Sequence, residues 1–254
     1  SLIERIFKML DSSTMFCTPY GATEALPVSA ITGAEIISET AAMSAQGQGT
    51  CVGRPWPEAE VAIIKIDDNP IPLWSEDLRV PQGQAGEIAV RGPMVSPSYF
   101  GLEEHTALAK IKCQDGTFFH RMGDLGRLDE KGRLWFYGRK AHRVRTAQGD
   151  MFSVPCEGVF NVHPKVKRTA LVGVGQPGAQ TPVLCVELEQ GMQPSEELKG
   201  ELLELGGKSP ITTPIKRVLF HPAFPVDPRH NSKIFRDRLA DWASRELHVS
   251  TGAA

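Results

Sequence analysis

The chain has 254 residues, 41% of them hydrophobic, and a formal net charge of −2, the make-up of an ordinary globular chain of one or two domains with length for a core. Charge is uneven, with 12 basic and 18 acidic residues through Tyr137 and 16 and 12 after it, which suggests two bodies of different surface character, neither basic nor clustered enough to take nucleic acid as a partner. Five scattered cysteines without a Cys-x-x-Cys spacing suit reduced thiols in a cytoplasmic protein and argue against structural zinc, and no apolar run reaches the roughly 18 residues of a transmembrane segment.

Leu2, Ile3, Ile6 and Leu10, set among Glu4, Arg5 and Lys8, predict an amphipathic helix and do not resemble a signal peptide. Next comes Tyr20, Gly21, Ala22, Thr23 and Glu24. An aromatic face, a glycine that exposes its backbone, a hydroxyl and a carboxylate within five positions suit an adenine ring, a phosphate and a magnesium ion; the same string also suits a plain surface turn. Thr32 and Glu35 have the spacing of a capping box, which predicts a short helix from there to about Met43, following the pentapeptide. Residues 46–50 read as a linker. Gly53, Arg54, Pro55 and Pro57 then force turns before the alternating Val61 and Ile63. Residues 86–91 predict a strand, and 127–136 a hairpin closed by the charged turn 129–132. The stretch of about 50–137 is therefore expected to be a small, mostly antiparallel β-subdomain.

After Gly138 the pattern changes to helix, strand, strand, helix, strand, helix, over 155–162, 169–174, 183–188, 195–205, 215–220 and 232–247, a compact α+β arrangement. The polar run of Gly138, Arg139, Lys140, Ala141, His142, Arg143 and Val144 between the two bodies reads as a hinge or as an ordinary solvated loop. In the final helix Ile234, Leu239, Trp242 and Leu247 give an apolar face, which leaves Arg236, Asp237, Arg238 and Asp241 mostly for solvent. Lys233 falls in its first turn, where the helix dipole gives a cation no benefit.

Taken in order, Tyr20 to Glu24, Gly53 to Pro55, Gly86 to Gly92, Gly123 and Asp124, Gly138 and Arg139, and Lys233 resemble the successive core motifs of the AMP-forming adenylating enzymes, the ANL superfamily of acyl-CoA synthetases, luciferases and peptide-synthetase adenylation domains. The resemblance implies a fold of mixed class, α/β and α+β. Residues 1–138 would be the C-terminal part of the large adenylate-forming domain, 139–144 the hinge, and 145–254 a small mobile domain. It also implies ATP and Mg2+, with Tyr20 on adenine beside Gly21 and Ala22, Thr23 at the α-phosphate, and Glu24 on the metal. Asp124 would take the ribose hydroxyls, Arg139 would assist near ribose and phosphate, and Lys233 would be the catalytic cation.

Two departures narrow the resemblance. The hinge has Lys140, Ala141 and His142 where relatives commonly have an aspartate or lysine, and Arg229, His230, Asn231 and Ser232 precede Lys233 where many have a Ser-Gly-Lys turn. With Met122 to Gly126, these strings look like the β-lactone synthetases of bacterial long-chain olefin biosynthesis. That likeness implies a long-chain 2-alkyl-3-hydroxy acid, activated as an acyl adenylate and closed by its own 3-hydroxyl to a β-lactone, with other olefin-pathway enzymes as possible partners. An acyl-CoA synthetase, a fatty acyl-AMP ligase and a noncatalytic nucleotide-binding fragment are the alternatives. His142, His163 and His230 are candidate bases for the hydroxyl. The Ser/Thr/Gly-rich phosphate loop that relatives carry upstream of the tyrosine does not occur in this sequence, so the opening segment reads as the middle of a larger protein and the fragment alone as a poor enzyme.

Overall fold

The computed structural model describes residues 2–11 and 13–251, with the side chains at 2, 230–232 and 248–251 outside that description. By contacts the chain divides into a first unit, Ser1–Met43 with Gly49–Lys140, and a second, Ser44–Gln48 with Ala141–Ala254.

From the start of the chain to Arg139 the elements are α1 (Leu2–Phe7), β1 (Cys17–Ala22), β2 (Ala25–Thr32), α2 (Gly33–Glu35), a π-helical turn (Ile36–Thr40), α3 (Ala41–Ala45), β3 (Thr50–Pro55), β4 (Glu60–Ile64), β5 (Gly86–Arg91), α4 (Glu103–Ala109), β6 (Lys110–Lys112), β7 (Phe118–Leu128) and β8 (Leu134–Arg139). The strands form one antiparallel sheet in the order β1-β2-β3-β8-β7-β5-β4, with β6 paired to the first part of β7. Both faces of its middle are covered. Val61, Ile63, Ile88, Val90 and Leu134 pack on one side, while Ala62, Ile64, Ala89, Ile111 and Phe119 pack on the other, the division that a two-residue side-chain period imposes.

The expected helix follows the pentapeptide after one intervening strand. Strand β2 comes first, and only then does Thr32 cap α2, its hydroxyl accepting from the Glu35 amide at 3.2 Å. The pentapeptide itself is the end of β1 and the turn of a hairpin. Its strands escape notice because Ala, Ser, Pro and Gly fill many of their positions, and these residues carry little strand propensity.

The second unit contains β9 (Val144–Thr146), β10 (Gly149–Met151), α5 (Ser153–Phe160), β11 (Val166–Val174), β12 (Thr181–Leu188), α6 (Glu196–Gly207), β13 (Arg217–Phe220), β14 (Val226–Asp227), β15 (His230–Ile234) and α7 (Arg236–Thr251). Strands β11 and β12 are antiparallel, and β13 joins β12 in parallel. On one face of this sheet Leu171, Leu184, Val186 and Val218 pack with Phe160, Leu198 and Leu202 of α5 and α6. On the other, Ala170, Val172, Val183 and Cys185 meet Leu239 and Ala243 of α7.

Two expectations are corrected here. Lys233 lies on β15, not in the last helix, which starts at Arg236. Arg236 is not left to solvent: it grips the Glu157 carboxylate with two hydrogen bonds of 2.5 and 2.9 Å and donates to the Leu171 carbonyl. Its face of α7 points into the unit because Glu157, buried on α5, needs a cation. The polar hairpin β9–β10 lacked an apolar signature and went unread. No helix among the described residues is long and apolar enough to cross a membrane.

Candidate functional site

The β1–β2 hairpin places Thr23 and Glu24 at its tip, with Ala22 paired to Ala25 and a register irregularity between Tyr20 and Ala22. Gly21 is required by close approach: a Cβ there would overlap the Ala25 carbonyl. Together the tip residues form part of the wall of a cleft of about 720 Å³, with Tyr99, His120, Arg139 and Lys140 among its other walls.

Beside this cleft sits Asp124, on β7 and only 4% exposed. The Tyr20 hydroxyl donates to its Oδ2 at 2.6 Å, and the Tyr20 ring tilts against Phe136 with 6.0 Å between centroids. Arg139, paired with Asp124 across β7 and β8, brings Nη1 to 3.1 Å from Oδ1. That approach neutralises charge but is not aligned as a hydrogen bond, and Oδ1 is buried without a donor. Burial raises the Asp124 carboxyl above the usual range against the opposing pull of Tyr20 and Arg139, and burial likewise drives the Tyr20 phenol up.

Glu24 is held differently. Tyr99 donates its hydroxyl to Oε1 at 3.0 Å. Burial favours the neutral carboxyl, but Glu24's own backbone amide, Tyr99, His120 and Lys110 outweigh it and hold the group below the usual carboxylate range. Lys110 and His120 face each other across β6 and β7. Burial lowers the Lys110 ammonium to about 8; burial, assisted by Lys110, lowers His120 to about 4. Deeper in the wall the Glu87 carboxylate is buried between Arg121 at 2.7 Å and Lys140 at 3.1 Å.

The structure thus gathers Tyr20, Gly21, Ala22, Thr23, Glu24, Asp124 and Arg139 in the first unit. Lys233 belongs to the second unit, where its side chain is exposed. Of the candidate bases, His163 is engaged at both nitrogens: Nδ1 accepts from the Lys165 amide at 3.3 Å, and Nε2 lies 3.1 Å from Glu201. His142 lies in a 3-10 turn (Lys140–His142), and the side chain of His230 lies outside the described residues. Sequence reading missed Lys110 and His120. The available signal was a titratable residue inside an apolar strand, as His120 is after Phe118 and Phe119.

A mixed α/β fold with a buried carboxylate beside a Tyr-Gly-Ala-Thr-Glu hairpin defines the class: the chain belongs to the AMP-binding, adenylate-forming enzymes of the ANL superfamily, and residues 1–100 match the family model described as AMP-binding enzyme. Within that class it is 49% identical over 251 residues to the olefin beta-lactone synthetase of Xanthomonas campestris pv. campestris and 47% identical over 250 residues to that of Stenotrophomonas maltophilia, covering 96% and 97% of this chain. The chain spans 45% of the length of each of these curated relatives. Among solved structures it superimposes on the amide bond synthetase McbA of Marinactinospora thermotolerans with a TM-score of 0.70 at 27% identity, covering 89% of this chain and 42% of that one.

A nucleotide fits the site, because a buried acceptor such as Asp124 Oδ1 lacks the donor that a ribose hydroxyl carries. Among the described residues no three His, Cys, Asp or Glu side chains cluster as a metal cage. A single ionised carboxylate at a cleft wall still suits magnesium, which takes one or two carboxylates and completes its shell with phosphate oxygens and water.

Proposed function

We propose that this chain is part of an ATP-dependent ligase that activates a long-chain 2-alkyl-3-hydroxy acid as its acyl adenylate and closes it to a β-lactone. The observation that carries this reading is the 49% identity along nearly the whole chain to an olefin beta-lactone synthetase. In this reading, residues 1–138 are the end of the large domain, 139–144 a hinge and 145–254 the small domain. Lys140, at the hinge, is tied to the Asp67 carbonyl at 2.7 Å as well as to Glu87.

ATP supplies the leaving group: the substrate carboxylate attacks the α-phosphorus, pyrophosphate departs, and AMP leaves when the 3-hydroxyl oxygen bonds to the carbonyl carbon and gives up its proton. Asp124 accepts from the ribose with Oδ1 while Tyr20 fixes Oδ2. Arg139, half exposed, offers its guanidinium to ribose and phosphate. Thr23 donates its hydroxyl to the α-phosphate, and Glu24 holds magnesium. Lys233 offsets the negative charge that gathers between carboxylate and phosphate. Holding the hydroxyl and carbonyl of one substrate together lowers the entropic cost of closing a strained ring.

The test uses a protein of the relatives' full length that contains this chain, incubated with ATP and a 2-alkyl-3-hydroxy acid, with and without coenzyme A. β-Lactone formed without the thiol is the expected product; thioester as the sole product refutes the reading in favour of an acyl-CoA synthetase. In the same protein Lys233→Ala is expected to cut pyrophosphate release by about 10²-fold or more with an unchanged melting temperature, since its side chain is exposed. Unaltered release would remove Lys233 from the mechanism.

A further inference from the structure

The tip that carries Glu24 is not held by the hairpin alone. Its backbone carbonyl accepts from the Ser96 amide at 2.8 Å, and Ala25 forms a β-bridge with Val95. The carboxylate is met by the Tyr99 hydroxyl at 3.0 Å. Residues 95–99 therefore act as a strap across the back of the tip.

That strap is tied down from β6. The Lys110 ammonium donates to the Ser96 carbonyl, and the Tyr99 amide donates to Thr106 Oγ1 at 3.0 Å on α4, the helix that runs into β6. Lys110 is only 7% exposed, and its ammonium stands 5.2 Å from the centroid of Phe118. Removing an ammonium from water is expensive, and a sequence that needed only to fill this space would do better with an apolar side chain. What the charge adds here is an anchor: the peptide of residue 96 takes the ammonium at its carbonyl, while the Ser96 amide on the same strap holds the carbonyl of Glu24.

We propose that Lys110 is a positioning residue for Glu24, acting through the strap of Ser96 and Tyr99 so that the Glu24 carboxylate meets a divalent cation at a fixed point on the cleft wall. This rests on the reading of Glu24 as the magnesium ligand. Lys110 itself is not among the residues that line the cleft. It acts as the outer partner that orients a ligand, and loss of such partners weakens metal binding without removing the ligand.

The test again uses the full-length protein and two readouts. Without ligands, amide hydrogen exchange follows Ser96 and the tip at 22–26; with a nonhydrolysable ATP analogue, Mn2+ affinity is measured by electron paramagnetic resonance. Lys110→Met is expected to speed exchange at Ser96 and to weaken Mn2+ binding about tenfold or more. Lys110→Arg should restore most of the loss, and metal-free nucleotide affinity should not change. Tyr99→Phe, which removes a single hydroxyl, should move Mn2+ affinity in the same direction and carries the test if Lys110→Met fails to fold. Glu24→Gln separates the two ideas. If it weakens Mn2+ binding while Lys110→Met and Tyr99→Phe do not, Lys110 has no positioning role; if it leaves Mn2+ binding unchanged, the magnesium assignment fails and the inference with it.

Discussion

Asp124 is held by two partners that fulfil different needs. Tyr20 gives a directed hydrogen bond to Oδ2, while Arg139 gives proximity to Oδ1 without a directed bond. A buried oxygen left in that state costs about 1–3 kcal/mol, and a bound ribose hydroxyl would relieve it. Asp124→Ala is therefore expected to raise the apparent ATP constant by about tenfold or more with little net change in stability, because relief of the unpaired Oδ1 is offset by loss of the acceptor for the Tyr20 hydroxyl. His120 has the opposite character, since burial keeps it neutral. Its folded pKa of about 4 lies below the ordinary imidazole value of 6.5, so between these values the unfolded chain binds the proton and stability falls as pH drops from 6.5 towards 4. His120→Gln should flatten that part of the stability profile, and an unchanged slope would show that His120 does not contribute to it. Asp124 and Arg139 were legible in the sequence because each sits beside a glycine in a family string. Lys110 and His120 were not, because their pairing depends on two strands whose partner residues lie ten positions apart.

At the scale of elements, the β2–β3–β8 ribbon brings the pentapeptide hairpin to the sheet, and Gly53 allows that pairing. It takes φ of +88°, in the left-handed region, and a Cβ there would overlap the Ala30 carbonyl of β2. Gly53→Ala is expected to destabilise the first unit by about 2–4 kcal/mol, read as a lower denaturation midpoint, and a change under 0.5 kcal/mol would show that the ribbon can shift to admit the methyl. The Gly-Arg-Pro string was legible as a turn, yet it lies at the end of a strand, because a glycine that permits close strand approach looks the same in sequence as one that turns the chain. The hairpin of β7 and β8 was readable from its charged turn, where Asp129 accepts from the Lys131 and Arg133 amides. The turn in β14–β15 was not, since Arg229 to Lys233 runs into a helix pattern without a break. Its strand pairing comes from Val226 and Ile234 across the turn, a contact that no local period announces.

For the whole molecule the decisive feature is that each unit holds its own buried ion pair and its own apolar clusters. In the first, Arg121 and Glu87 are 2% and 1% exposed at 2.7 Å; in the second, Arg236 and Glu157 meet at 2.5 Å. Removing one member leaves an uncompensated charge and costs about 3–5 kcal/mol, which makes each pair a probe for the unit around it. Arg236→Met should lower hydrogen-exchange protection in β11, β12 and β13 while β5 and β7 keep theirs, because Glu157 also fixes the Leu171 amide of β11 at 2.7 Å. Arg121→Met should do the reverse, and by less, since Lys140 still faces Glu87. Loss of protection in both units from either substitution would mean that the two cores unfold as one. The change of sequence pattern after Gly138 already pointed to two bodies, but the pairs that mark them were hidden, because the sequence shows Arg236 as one more charge at the start of a polar helix face. Its role becomes visible only when two helices and the strand between them bring residues 157, 171 and 236 together.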